Sequence, residues 1–508
     1  MIWKKLVDDQ SSPMIHAVAY NTAAGMTEAV LGACTSSVMS ESTNRAAKWC
    51  YSGPSISEVF VREGNAALDK LRDNPFLNLV DSKSRQTIAA LLKTADEIRE
   101  QDLYSLDGPR LAARFNQLFE EWVEMNVWGH VINVTDFDHF MLTHRINSFL
   151  EKRISEKNAG SAVSDAFAAL ATPLEKTPLA LQDRDFFRLL AKIQADPLAR
   201  EVFRQPTHVI VKQVEEFPEI DRAVHQHAYD YNWLQFHYDG PTALDEEYFI
   251  DALAAEVRQG VDAKQKLQEM EAKNEAVARK QKQLEEELGL DAEEKHWIKV
   301  ARAFMFLKAL RKDAVFQASC WTERLLKEIA VRLSLTLLQV RHMTPREINE
   351  ALLGKPVNSS ELDERIRYSC WLHETGKQVQ VFTGAKAREL CSKIVEEQPV
   401  GEVRELRGTP SSPGYAKGTV KLIARIEDIP KMNQGDVLIS PATNPNLVPA
   451  MKKAAAIVTD EGGITCHAAI ISREMGIPCI VGTKIVTKAF KDGDFVEVDA
   501  FKGVVRKL

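Results

Sequence analysis

The 508 residues hold only seven cysteines: Cys34, Cys50, Cys320, Cys370, Cys391, Cys466 and Cys479. They are scattered and form no Cys-x-x-Cys pair, which excludes a disulfide framework or a thiolate zinc ribbon and reads as reduced intracellular thiols. No apolar run reaches the roughly 20 residues of a membrane span, and Met1-Ile-Trp-Lys-Lys5 lacks the apolar centre of a signal peptide. Basic residues are outnumbered, 65 Lys+Arg against 72 Asp+Glu, so no basic stripe stands ready to neutralise a phosphodiester backbone. These absences predict a soluble, cytoplasmic protein with no membrane and no nucleic-acid partner. There is no Gly-x-x-x-x-Gly-Lys-Ser/Thr phosphate loop. Strand-like segments are few outside the C-terminal region, Thr207 to Val214 being the clearest.

At this length one core does not suffice, and two to four domains are expected. Helical periodicity dominates from about Ser55 to Gly384. Ser82 to Glu100, Gly108 to Trp128, Asp183 to Ala195 and Glu246 to Gln259 each carry apolar residues three and four apart. No proline interrupts the stretch between Pro241 and Pro345. There Ala263, Leu267, Met270, Val277, Leu284 and Leu288 follow heptad steps, with Asn274 and Gln281 as polar seam positions. The pattern predicts a long helical hairpin over about 246–333, broken near Gly289, with the charge run Lys264 to Glu287 as its solvated face.

The segment Thr459-Asp-Glu-Gly-Gly-Ile-Thr-Cys-His467 differs from everything before it. It follows the apolar run Ala454 to Thr459, which reads as a buried strand, and precedes Ala468 to Met475, which has helical spacing. Gly462 and Gly463 permit backbone angles closed to other residues, and the free N–H groups of the next helix favour an anion. A histidine placed there is a competent nucleophile near neutral pH. Thr465 offers a hydroxyl to a phosphate oxygen, and Arg473 offers a positive charge. Spacing alone leaves a plain strand-to-helix turn open.

Taken whole, Thr459 to Gly482 resembles the phosphohistidine motif of the phosphoenolpyruvate-utilising enzymes, the family of phosphoenolpyruvate synthase, pyruvate phosphate dikinase and rifampin phosphotransferase. The resemblance extends upstream through Thr443 to Val458 and Gly408 to Gly418, and downstream to Asp492 to Asp499 and Gly503. It implies a C-terminal β/α swivelling domain over 408–508, with His467 as the phosphorylated residue, Thr465 beside it, and Gly462, Gly463 and Arg473 at the phosphate. Cys466 is expected to pack. The family's ATP-grasp domain needs a large mixed sheet, for which the helical region shows no room. The expected organisation is therefore multidomain: a large, mainly α-helical domain over 1–395, a linker over 396–407 rich in proline, glycine and small polar residues, and the swivelling domain. The resemblance then implies a separate ATP-grasp subunit that handles ATP and Mg2+, no cofactor bound by this chain alone, and a small organic hydroxyl or enol as acceptor. A stand-alone relative of phosphoenolpyruvate synthase and a scaffold that keeps the histidine domain are the alternatives.

Two further clusters bear on the acceptor. His225 to Pro241 is dense in histidine and aromatic residues for a chain that is 7% aromatic. His225 and His227 stand at i, i+2, off the helical i, i+4 spacing, so no metal is expected. Tyr229, Tyr231, Trp233 and His237 are candidates for the wall of an acceptor pocket, with core packing as the alternative. The cluster Trp122, Trp128, His130, Asp136, Asp138 and His139 is a weaker candidate for an acceptor base, a helix end being the simpler reading.

Overall fold

The structure is a computed structural model. It describes all residues except 1–2, 11–17, 20–21, 23–25, 27, 32–36, 44–45, 53–55, 137–139, 161, 237–239, 241–242, 375–376, 396–402, 425, 444–446, 461 and 463–465. The chain divides into two compact units. The first comprises Met1–His139, Thr172–Gln283 and Arg302–Val395; the second comprises Phe140–Ala171, Leu284–Ala301 and Glu396–Leu508.

In the first unit the helices begin where the sequence can satisfy their orphan N–H groups. Asp73 accepts from Phe76 N and Asp107 from Arg110 N, each with a proline in the first turn, to start Asn74–Glu100 and Gly108–Asn133. Glu246–Gln259 starts on Asp245 and ends on Gly260, whose φ of 70° suits a left-handed cap. The stretch predicted as one hairpin over 246–333 is three helices: Glu246–Gln259 ends at Gly260, and Ala263–Glu287 and Ala292–Leu333 follow it, parted at Gly289 with φ 60°. The heptad seam runs as read: Ala263, Gln281, Leu284 and Leu288 are buried and Leu267, Met270, Asn274 and Val277 half-buried, while Lys264 to Lys266 are exposed. Gln281 is satisfied in the seam, where its Nε2 donates to Thr172 O at 2.8 Å.

Thr207 to Val214 corrects the sequence reading. It is a helix over Thr207–Gln213 that runs into a 3-10 turn, Val214–Glu216, with Ile210 and Val214 buried one turn apart. Strands are found elsewhere. β1 (Trp3–Gln10), β2 (Ser37–Thr43), β3 (Ala46–Ser52), β4 (Ser369–Glu374), β5 (Gln380–Thr383) and β6 (Ile394–Val395) form one sheet in the order β5-β4-β2-β3-β1-β6. The mainly helical unit thus carries a six-stranded sheet that the sequence reading lacked.

In the second unit, eight strands form a mixed sheet in the order β7-β14-β13-β9-β10-β11-β12-β8. They are β7 (Glu405–Arg407), β8 (Thr409–Ser412), β9 (Tyr415–Leu422), β10 (Val437–Ser440), β11 (Ala456–Thr459), β12 (Cys479–Val481), β13 (Phe495–Asp499) and β14 (Val504–Lys507). Glu405–Arg407, which the sequence reading placed in the linker, pairs with β14 as an edge strand. β9 to β12 run parallel, and every residue of β10, β11 and β12 is buried. Such strands need apolar residues on both faces. Val437, Ile439, Ala456, Val458 and Ile480 pack to one side. Leu438, Ile457, Cys479 and Val481 pack to the other, against Ala468 and Ala469 of the helix His467–Met475.

Candidate functional site

In a sheet of parallel strands, the loops at the carboxyl ends are where ligands gather. Here the loops after β10, β11 and β12 are tied together by backbone. Asp460 N donates to Ser440 O at 3.1 Å, and Lys484 N donates to Asp460 O at 2.8 Å. Thr483 donates to Thr459 O from its N at 3.0 Å and its Oγ1 at 2.8 Å. The Asp460 carboxylate turns back and accepts from Thr487 N at 3.0 Å and from the Thr487 hydroxyl. Burial pushes that carboxyl above its usual range, against the Thr487 bonds that favour its ionised form.

Gly462 lies inside this knot with φ 106°, and a Cβ on it would fall 2.6 Å from Cys466 Sγ. Gly482, φ 71°, faces it: a Cβ there would fall 2.9 Å from Gly462 O. Only glycine suits either position. Cys466 is the extended N-cap residue of His467–Met475, φ −77° and ψ 166°, and makes no side-chain cap bond. His467 therefore opens the helix, the place the sequence reading assigned to it; its side chain, Gly463 and Thr465 lie outside the described residues. Arg473, half-buried on the same helix, folds its Nε back to Ala469 O at 2.8 Å, toward the helix start. Burial holds the Cys466 thiol above its ordinary range, outweighing the helix N–H groups and Arg473, and raises Cys479 to about 12. Neither cysteine is a thiolate at neutral pH, in keeping with the packing role expected of Cys466. Asp460, Gly482 and Thr483 were not singled out from sequence. Asp460 and Gly482 stood within the quoted motif, but their roles arise from bonds between loops that only the fold brings together.

The aromatic candidates of the helical unit separate. Tyr229 is exposed and carries the Arg99 guanidinium over its ring at 3.4 Å. Its hydroxyl lies 3.0 Å from both Asp96 Oδ1 and Glu100 Oε1 and shares its one proton between them, and burial with these two carboxylates pushes the phenol up to about 12. Tyr231 is buried beside Phe249 and donates to Asp185 Oδ2 at 2.9 Å. Trp233 is 1% exposed, in the main core cluster, with its Nε1 donating to Asp230 O. The described geometry therefore gives Tyr231 and Trp233 packing roles instead of a shared wall with Tyr229; His237 lies outside the described residues. His130 is also internal, its Nε2 3.0 Å from Glu63 Oε2 with both side chains sealed from solvent. Asp138 and His139 lie outside the described residues.

A narrow recess does occur in this unit. Phe115, Leu118, Phe119 and Trp122 form its apolar side. Ser319, Thr322, Glu323 and Arg341 form the other. The two hydroxyls donate to Val315 O and Ala318 O of their own helix. Arg341 Nη2 donates to Glu323 Oε1 at 2.7 Å.

Residues 432–503 match the family model of the PEP-utilising enzyme, mobile domain. A probable phosphoenolpyruvate synthase of Archaeoglobus fulgidus is 48% identical over 140 residues, 27% of this chain and 18% of that protein. The phosphoenolpyruvate synthase of Pyrococcus furiosus is 52% identical over 119 residues, 23% of this chain and 14% of that one. Chondramide synthase of Chondromyces crocatus is 39% identical over 114 residues, 22% of this chain and 3% of that one. The chain spans less than a fifth of the length of these relatives. Among the described residues no helix is long and apolar enough to cross a membrane. The strand, the glycine turn and the helix that His467 opens thus lie in a stretch that matches the mobile domain of the phosphoenolpyruvate-utilising enzymes, the family the sequence resembles.

Proposed function

We propose that this chain is a phosphotransferase component that carries a phosphoryl group on His467. The observation that carries the reading is the position of His467 as the first residue of the helix after β11, within the stretch that matches the mobile domain. At a helix start, free N–H groups and the positive end of the dipole stabilise a phosphoryl group without a large side-chain apparatus. Arg473, folded toward that end, adds charge.

Two transfers make up the cycle. In the first, the donor's O–P bond breaks and an N–P bond forms at the imidazole, which sheds its proton. In the second, the N–P bond breaks, an O–P bond forms on the acceptor, and the acceptor hydroxyl loses its proton. ATP with Mg2+ is the proposed donor, bound by a separate ATP-grasp subunit. The acceptor is a small organic hydroxyl or enol compound.

The test is labelling with γ- and β-labelled ATP, with and without candidate ATP-grasp partners. Acid-labile, alkali-stable label is expected in wild type with a competent partner, and none in His467→Ala. Full labelling of His467→Ala overturns the site, and stoichiometric labelling of the pure chain by ATP alone overturns the need for a partner.

A further inference from the structure

His225, where sequence spacing spoke against a metal, belongs to a different set of donors in space. Asp221 and His225 lie four residues apart on Pro218–Tyr231, so they share one helical face. Glu246, the first residue of Glu246–Gln259, meets them from the next helix. His225 Nδ1 is 2.6 Å from Glu246 Oε2, and one ligand atom from each of the three residues lies within 4.8 Å of the others. His227, the partner considered from sequence, points away: it is buried against Tyr231 and Phe249.

The backbones beneath the three donors are fixed. Val224, Ile220, Ile250 and Leu253 belong to one buried cluster that joins the two helices. Asp245 caps the second helix through Tyr248 N at 2.9 Å, and Leu244 N donates to Asn232 O at 2.8 Å, closing the segment between them. The donors themselves remain reachable, His225 at 67% and Glu246 at 31% side-chain exposure. One imidazole and two carboxylates offset the charge of a divalent ion, and a borderline ion such as zinc accepts both donor types at bonds of about 2 Å. Such bonds place ligand atoms roughly 3–3.5 Å apart, so the His225–Glu246 pair opens from 2.6 Å and any wider separation closes, changes that rotamers of these partly exposed side chains can supply. With three protein ligands, water completes the coordination.

We infer that Asp221, His225 and Glu246 form a divalent transition-metal site, for which zinc is the fitting ion, that clamps the first half of Pro218–Tyr231 to the start of Glu246–Gln259. The proposal does not depend on the role of His467. The experiment uses the full chain stripped with a chelator and titrated with Zn2+ by calorimetry and with Co2+ by visible absorption. One ion per chain is expected, with at least tenfold weaker binding in Asp221→Asn and in Glu246→Gln and loss of the site in His225→Ala. His208→Ala, at another exposed histidine, is expected to bind as wild type does. Because His225 is largely exposed, its replacement leaves the core intact, which matching unfolding curves of the metal-free proteins verify. Absence of a stoichiometric site in wild type, or equal affinity in wild type and His225→Ala, overturns the inference.

Discussion

Replacing Gly462 with alanine puts the glycine turn under direct load. At φ 106° an L-residue pays about 1–3 kcal/mol of backbone strain. The new methyl also falls 2.6 Å from Cys466 Sγ and 2.9 Å from Cys466 Cβ. Cys466 has little room to yield, since it is the N-cap of His467–Met475 and is packed against the buried Leu438 and Ile457 cluster. Overpacking of this kind adds about 1–3 kcal/mol, so a local loss of about 2–6 kcal/mol is expected. Native-state hydrogen exchange of the full chain, read by mass spectrometry, reports it as faster exchange in β10 and β11 relative to the helical unit. A double-mutant cycle with Cys466→Ala separates the two contributions: the Sγ collision disappears while the strained angle stays, so the double variant recovers part of the loss. Gly462→Ala within about 0.5 kcal/mol of wild type, the range of an ordinary surface change, would refute both the turn geometry and its tight fit.

Two further outcomes concern the helical unit. Trp233→Ala empties a site 1% exposed in the main core, and a loss of about 3–5 kcal/mol is expected in denaturant unfolding; a stable variant with slowed transfer from phospho-His467 to acceptor would return Trp233 to an acceptor wall. Burial lowers His227 from 6.5 to about 4, against the attraction of Asp185, so the fold favours the neutral ring. Its stability contribution is intact above pH 6.5 and is lost as pH falls toward 4, about 3 kcal/mol in all; His227→Gln is expected to flatten this part of the stability curve, and an unchanged acid limb in that variant counts against the assignment.

The elements legible in sequence are those whose cause is local. The helices at Asn74–Glu100 and Glu246–Gln259 announce themselves through period and cap, and Gly289 breaks the hairpin where a positive φ demands glycine. In the histidine segment, Gly462 and the buried β11 follow from residue type alone. What sequence misjudged was decided by distant partners. Thr207 to Val214 is rich in β-branched residues, yet it forms a helix because Ile210 and Val214, four apart, are held in one core cluster with Ile250 and Leu253. β2 and β3 contain Glu41, Lys48 and the pair Ala46-Ala47, with little strand preference of their own, and their pairing is supplied by β1 and β4. Asp221, i−4 to His225, was not singled out from sequence, and Glu246 joins the two only through the packing of two helices.

The six-stranded sheet has a consequence for how the helical unit is assembled and cut. β2 pairs with β4 and β1 with β6, so strands more than 300 residues apart in the chain are direct neighbours. Closing a loop of that length costs about 5 kcal/mol in chain entropy beyond the constant term, which no contact within the sheet repays until the intervening helices have shortened the path. The sheet therefore closes late, as a seal across the two ends of the unit. A fragment that begins after residue 52, although it keeps nearly all the helices, leaves β4 without its neighbour and exposes a strand edge suited to pairing with another chain.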